Sequence, residues 1–234
     1  MQTISADKAM AKKYSARYGV QDATHLYPVE FVVRAFLGTY PNHHFDPTGF
    51  VGKRILDLGC GDGRNFPLLQ RLGFETHGVE ISDAIVQSTK CRVEQHGLTP
   101  MLGVGTNANL PFTDEYFDFV LACHSCYYVE EGTSFSDNLA EIRRVLRNHG
   151  VFIASLPMLG SHILKSAIAL GDGHFRITSD WYGSRNGIIM RGFGDEQEIS
   201  KVFAPFFTEF RVGFTDDEYW GIRQQTWIVI CQAR

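Results

Sequence analysis

Ile55-Leu56-Asp57-Leu58-Gly59-Cys60-Gly61-Asp62-Gly63-Arg64-Asn65 is the stretch on which the fold turns. An apolar, strand-like run carries one aspartate into a segment where glycine alternates with other residues, and a helix-compatible run follows. Glycine lets a chain turn sharply from strand to helix and lets a ligand approach the backbone. The N–H groups of the next helix then face whatever occupies the crevice. Thr76-His77-Gly78-Val79 reads as the next strand and ends on Glu80, 19 residues after Gly61. That interval, about 20 residues, is the one at which a second strand brings a carboxylate to a ribose diol.

Working outward, the short segments Arg54–Leu58, Glu75–Glu80, Met101–Val104, Phe117–Ala122 and 151–155 read as strands alternating with helices, which predicts a parallel sheet with crossover helices. Val29, Val32, Val33, Phe36 and Leu37 recur at helical spacing ahead of this core, and Pro41 to Pro47 breaks that helix. Beyond Pro157 the pattern predicts a helix over 161–170 and strands over 175–179 and 188–193 joined by an Asn186-Gly187 turn. A helix over 195–206 follows, and then two strands, 207–214 and 226–232, around an acidic loop.

A dinucleotide fingerprint would place its third glycine at position 64, which is Arg64. Downstream come Leu110-Pro111-Phe112, then Phe117-Asp118-Phe119-Val120, then Glu141 through Gly150. Together with the glycine loop these resemble, in order, the motifs of the class I S-adenosylmethionine-dependent methyltransferases, over about residues 53–157. The resemblance implies an α/β doubly wound, mostly parallel seven-stranded sheet of Rossmann-like type with one antiparallel strand. On that basis residues 1–50 are expected to form an N-terminal helical cap, 51–157 the cofactor-binding core, 158–193 a substrate cap inserted after the fifth strand, and 194–234 the closing helix and strands.

The resemblance also implies S-adenosylmethionine as cofactor. Asp57, Gly59, Gly61 and Gly63 are expected at its methionine end, Glu80 at its ribose and Asn107 at its adenine, with Cys60, Asn65, Ile81, Thr106 and Ala108 also expected to bind it. Relatives commonly carry an aspartate at the position of Thr106, and an Asn107 amide oxygen can replace that acceptor. His124, Tyr127 and Tyr128 follow the fourth strand, where cofactor and acceptor should meet. One branch of the family, including O-methyltransferases of quinone biosynthesis, carries Glu, Glu and His there. With the two acids absent, no metal site is expected. His124 is expected to act as a general base or to orient the acceptor, since imidazole takes a proton near neutral pH. His174, Arg176, Trp181 and Tyr182 are expected to bind the acceptor, with Arg185 beside them.

The remaining features narrow the function class. A net charge of −4 over 234 residues gives no global attraction for nucleic acid, and no (D/N)PP(Y/F) motif for a flipped base follows the fourth strand. The five cysteines are scattered, and Cys123-His124-Ser125-Cys126 has no second ligand pair at zinc spacing, so buried thiols are expected. No apolar run is long enough to span a membrane, and the first residues lack the apolar centre of a signal peptide, so the expected compartment is the cytosol. Glu30 and Arg34 suit a surface ion pair, with Arg34 or Tyr27 as alternative covers for the cofactor carboxylate. Glu141, Arg143, Arg144 and Arg147 suit a solvated helix face. The expected activity is methyl transfer to an oxygen or nitrogen of a small molecule. The alternatives are a cofactor-binding protein without catalysis and, behind it, a nucleic-acid or protein methyltransferase.

Overall fold

The computed structural model describes residues 25–234, so the expected N-terminal cap lies partly outside the described residues. Helix α1 (Glu30–Leu37) buries Phe31, Val32, Ala35 and Phe36 along one face. This is the stripe that its i, i+1, i+4, i+5 spacing dictates. Glu30 and Arg34 pair at 2.6 Å on its exposed side, as expected. A small hairpin, β1 (Thr39–Tyr40) and β2 (His43–His44), leads through a 3-10 turn (Pro47–Phe50) into the core.

The core alternates β3 (Arg54–Leu58), α2 (Phe66–Arg71), β4 (Glu75–Glu80), α3 (Asp83–Gln95), β5 (Met101–Val104), β6 (Phe117–Ala122), β7 (Tyr128–Val129), α4 (Phe135–Val145) and β8 (Leu146–Pro157). Four of the expected strands have the bounds read from the sequence, and the fifth, 151–155, sits inside the longer β8. After β8 come β9 (Ile168–Gly171), β10 (His174–Arg176), β11 (Ile189–Arg191), α5 (Glu196–Phe203), β12 (Phe207–Tyr219) and β13 (Ile222–Ala233). The main sheet has seven strands in the order β12-β13-β8-β6-β3-β4-β5. Only β13 runs against its neighbours. The order reverses direction between β3 and β6, and ligands of such sheets bind at that switch point, beyond the carboxyl ends of the strands.

Each central strand is apolar on both faces because both are covered. Leu56, Val120, Phe152 and Ala154 pack with α4 and α5 residues such as Leu139, Ile142 and Phe203. Ile55, Phe119, Leu121 and Ile153 face the other way, with Phe36 of α1 and Phe66 and Leu69 of α2. Burying each such side chain fully stabilises the fold by roughly 1.5–3 kcal/mol. Among the described residues no helix is long and apolar enough to cross a membrane.

Three expectations for the second half are corrected. Residues 161–170 form no helix. Successive tight turns (Leu164 N–H to Ser161 O at 3.0 Å, Ala167 N–H to Leu164 O at 3.1 Å) lead into β9. The backbone N–H of His162 donates instead to the Arg223 carbonyl at the start of β13 (2.9 Å), and Gly171, Asp172 and Gly173, all at positive φ, turn the chain into a hairpin. Strand β9 joins a second, antiparallel sheet in the order β7-β11-β10-β9. The acidic loop is not a loop either. Asp216, Asp217 and Glu218 lie within β12, and Trp220-Gly221, both at positive φ, make a two-residue turn directly into β13. Asp216 pairs across that hairpin with Arg223 at 2.6 Å. Finally, Glu141 and Arg144 are not a merely solvated face. Glu141 accepts from the Leu110 N–H at 2.6 Å, and Arg144 holds Asp114 and the Phe112 carbonyl, clamping the chain between β5 and β6 onto α4.

Candidate active site

A cleft of about 460 Å³ opens at the switch point. One end is built by the loop after β3. The N–H groups of Gly59 and Cys60 both donate to the Val79 carbonyl (2.9 and 3.2 Å), pinning this loop to the end of β4. Two of its glycines answer to the protein's own packing. A Cβ on Gly59 would stand 2.6 Å from the Cβ of Ser125, and one on Gly63 would stand 2.5 Å from the Val93 Cγ1 of α3. Both have positive φ as well, 69° and 79°.

Glu80 lines the cleft, and its carboxylate accepts from the Gly61 N–H at 2.7 Å and the Ile81 N–H at 3.1 Å. Burial pushes its carboxyl above the ordinary range, while those two N–H groups pull the other way. The group is thus fixed in orientation with acceptor capacity left over. Asn107 lines the same end. Its amide nitrogen donates to the carbonyls of Ser125 and Tyr128, both at 3.0 Å. Both amide hydrogens are thereby used, so the side chain has only its oxygen to offer a ligand.

Asp57 does not line the cleft, contrary to expectation, because Asn65 stands in front of it. Asn65 donates to Asp57 Oδ2 at 3.1 Å and accepts from the Val29 N–H at 3.2 Å, tying the entry of α1 to the glycine loop. Among the described residues Asp57 Oδ1 is buried without a hydrogen-bond partner, and burial lifts the carboxyl to about 7. Thr106 and Ala108 also stay outside the lining. Thr106 exchanges two backbone hydrogen bonds with Asn109 (3.0 and 3.2 Å), forming the tight turn that presents Asn107.

The other end of the cleft is lined by His124, Tyr127, Tyr128, Tyr182 and Arg185, with Gln224 and Gln225 of β13. His124 follows β6 with φ +56°, a conformation rare outside glycine, and its ring stands edge-on to Phe31 of α1 at 5.8 Å. Burial, with the charges of Arg185 and Arg64, lowers its pKa to about 4, so the imidazole is neutral at physiological pH. Arg185 donates to the Tyr128 hydroxyl at 3.1 Å and pairs with the fully buried Asp180 at 3.2 Å. The remaining acceptor candidates, His174, Arg176 and Trp181, are not in the lining. Strand β11 separates β10, which carries the first two, from Tyr128 on β7. Trp181, 82% exposed, points to solvent. Neither Tyr27 nor Arg34 borders the cleft.

The β13 wall, Ile222 to Thr226, was not anticipated, nor was the turn at Ser161 to Ile163 that lies against it. No local motif marks either. Their signal lay in the antiparallel placement of β13 beside β8, a contact between segments far apart in the chain. Cys123 and Cys126 are held as thiols, burial raising the pKa of both, that of Cys126 to about 12. Among the described residues no cluster could hold a metal ion.

A family model described as a methyltransferase domain matches residues 56–154. Over those residues the chain is similar to a methyltransferase domain. A ubiquinone biosynthesis O-methyltransferase of Roseobacter denitrificans is 29% identical over 127 residues, which are 54% of this chain and 50% of that protein. The chain thus spans about half the length of the curated relatives it matches. Among solved structures, a Pyrococcus horikoshii protein aligns with a TM-score of 0.65 at 18% identity, covering 94% of this chain and 99% of that one. A methyltransferase from Methanosarcina mazei aligns with a TM-score of 0.59 at 18% identity over 89% of this chain and 99% of that one. S-adenosylmethionine is the cofactor that the resemblance of the glycine loop and its downstream motifs implies. The donor set in the cleft fits it: a fixed carboxylate for a diol and an amide oxygen for an exocyclic amine.

Proposed function

We propose that this chain transfers the sulfonium methyl of S-adenosylmethionine to an oxygen or nitrogen of a small molecule. The observation that carries the reading is the continuity of one cleft. The cofactor end (Gly59, Gly61, Glu80, Asn107) and the polar, aromatic end (His124, Tyr128, Tyr182, Arg185) share it without a partition. Its volume suits a cofactor and a small acceptor rather than a macromolecular strand. The ubiquinone-pathway relative, named as an O-methyltransferase, supports oxygen as the acceptor atom.

The cofactor supplies an electrophilic methyl whose leaving group departs as a neutral thioether. What the chain must add is alignment, which can be worth roughly 7–11 kcal/mol when the reacting atoms are held about 3–3.5 Å apart. Glu80 and Asn107 would fix the nucleoside, the loop after β3 the methionine portion, and His124, Tyr128, Tyr182 and Arg185 the acceptor. Calorimetry with S-adenosylmethionine, S-adenosylhomocysteine and NAD tests the first half, and tighter binding of NAD would sink it. Acceptor screening with mass spectrometry tests the second. Adenosyl binding with no methylated product across phenols, carboxylates and amines would leave a binding protein in place of an enzyme.

A further inference from the structure

We propose that Ser155 holds His124 as a fixed Nε2–H donor facing the acceptor, and that the acceptor therefore carries an oxygen already anionic at neutral pH. The inference rests on the methyltransferase reading above and narrows its substrate class.

The argument begins with a single hydroxyl. Ser155 lies in β8, fully buried, and among the described residues its Oγ has two partners, both in His124: the backbone N–H at 2.8 Å and ring Nδ1 at 3.2 Å. A backbone N–H can only donate, so Oγ accepts there. Among the described residues the hydroxyl proton then has one acceptor within reach, Nδ1. Were Nδ1 protonated instead, Oγ would accept twice and its own proton would be buried unbonded, which is costly. Nδ1 is therefore the acceptor. In a neutral ring the proton then sits on Nε2.

The ring is neutral for an independent reason. Besides its burial, Arg185 from the 177–188 loop and Arg64 from the glycine loop disfavour a positive charge on it. Each arginine is itself balanced by a neighbour, Asp180 and Asp62 respectively. Nε2 is bonded to none of the described residues, and His124 lines the cleft.

A ring so arranged cannot take a proton from an acceptor, because one nitrogen is engaged and the other already carries hydrogen. This departs from the proton-taking role its position suggests. An N–H donor beside an arginine instead holds an oxyanion, such as a carboxylate or an acidic phenolate. The transfer then needs no proton movement. A lone pair of the oxyanion forms the O–CH₃ bond while the S–CH₃ pair returns to sulfur, leaving a neutral ester or ether and S-adenosylhomocysteine.

The test begins with ¹⁵N-histidine NMR of the wild-type protein from pH 6 to 8. The Nε2–H tautomer pattern is expected for His124 throughout; an Nδ1–H or imidazolium pattern overturns the proposal whether or not methyl transfer is ever seen. Benzoate is then titrated against benzyl alcohol in the presence of S-adenosylhomocysteine. Benzoate should move the Nε2–H resonance and bind ~10-fold or more tighter than the alcohol. Equal binding, or no shift, removes the anion preference. Ser155→Ala should lose the single-tautomer pattern and Ser155→Thr should keep it. If the alanine variant does not fold, the wild-type spectrum and the threonine variant still decide, because a mixed or reversed pattern in either refutes the role of the hydroxyl.

Discussion

At the scale of single residues, two carboxylates one strand apart do different work. Glu80 is anchored by two backbone N–H groups and borders the cleft, which leaves lone pairs open to a ligand. Glu80→Ala should weaken S-adenosylmethionine binding by roughly 1.5–3 kcal/mol in calorimetry, the range for hydrogen bonds to a charged group. An unchanged dissociation constant in a folded variant removes Glu80 from the site. Asp57 sits one layer back, its carboxyl lifted to about 7 by burial. In the folded chain it keeps a proton that the unfolded chain loses above about 3.9, so its contribution to stability declines as pH rises through that window. A cation held in the cleft favours the ionised form, so binding below pH 7 must release this proton. Affinity for S-adenosylmethionine should therefore rise about ten-fold from pH 6 to pH 8 and then level, with Asp57→Asn flattening the slope. An equal slope in that variant assigns the pH dependence to another group.

Among the elements, α4 carries the best-defined terminus. Ser134 and Asp137 form a reciprocal capping box, with the Asp137 carboxylate accepting from the Ser134 N–H at 2.7 Å. Ser134→Ala should cost about 1 kcal/mol in denaturant unfolding. A loss too small to measure would mean that packing of Leu139 and Ile142 alone holds the helix. This element was legible because its cap, its stripe and its length agree. The parallel strands were legible for a similar reason: each is a short apolar run buried on both faces, bounded by turn residues. The segment 161–170 misled because Ile163, Leu164, Ala167 and Ile168 also fall at helical spacing. What overrides them is tertiary, the pull of the Arg223 carbonyl on His162 and the Gly171-Asp172-Gly173 turn. The end of the cleft lined by the glycine loop and Glu80 was legible from that loop and one acid. The other end was legible only in part: His124, Tyr127, Tyr128, Tyr182 and Arg185 stood in the sequence, but the wall from Ile222 to Thr226 did not, because no local pattern records which strand will lie beside β8.

For the molecule as a whole, the two ends of the cleft depend on different regions and should respond separately. Tyr182 lines the acceptor end while its neighbour Trp181 faces solvent. Tyr182→Ala should raise the acceptor's KM several-fold with the cofactor's dissociation constant unchanged, and Trp181→Ala should alter neither. Steady-state kinetics on both variants checks this, and an equal effect of the two would mean that the loop acts as a unit. Stability against acid also has a nameable source. His77 is buried among Phe112, Tyr116 and Phe117, both ring nitrogens lack hydrogen-bond partners among the described residues, and burial lowers its pKa. The unfolded chain binds a proton there below about 6.5 that the folded chain resists, so stability drains as pH falls from that point. His124 adds to the same loss down to about 4. His77→Leu should therefore gain stability relative to wild type at pH 5 compared with pH 7 in urea titrations. No difference between the two pH values would show that the ring is protonated at no cost. The packing of Gly59 against Ser125 and of Gly63 against Val93 has a consequence for descent. A descendant that abandoned the cofactor would be released from keeping Glu80 and the Asn107 oxygen, yet it could not give up either glycine without rebuilding its core. Drift would erase the ligand-facing acid first and leave the glycine signature standing, so an intact loop beside a lost Glu80 would mark a lineage that kept the fold and retired the chemistry.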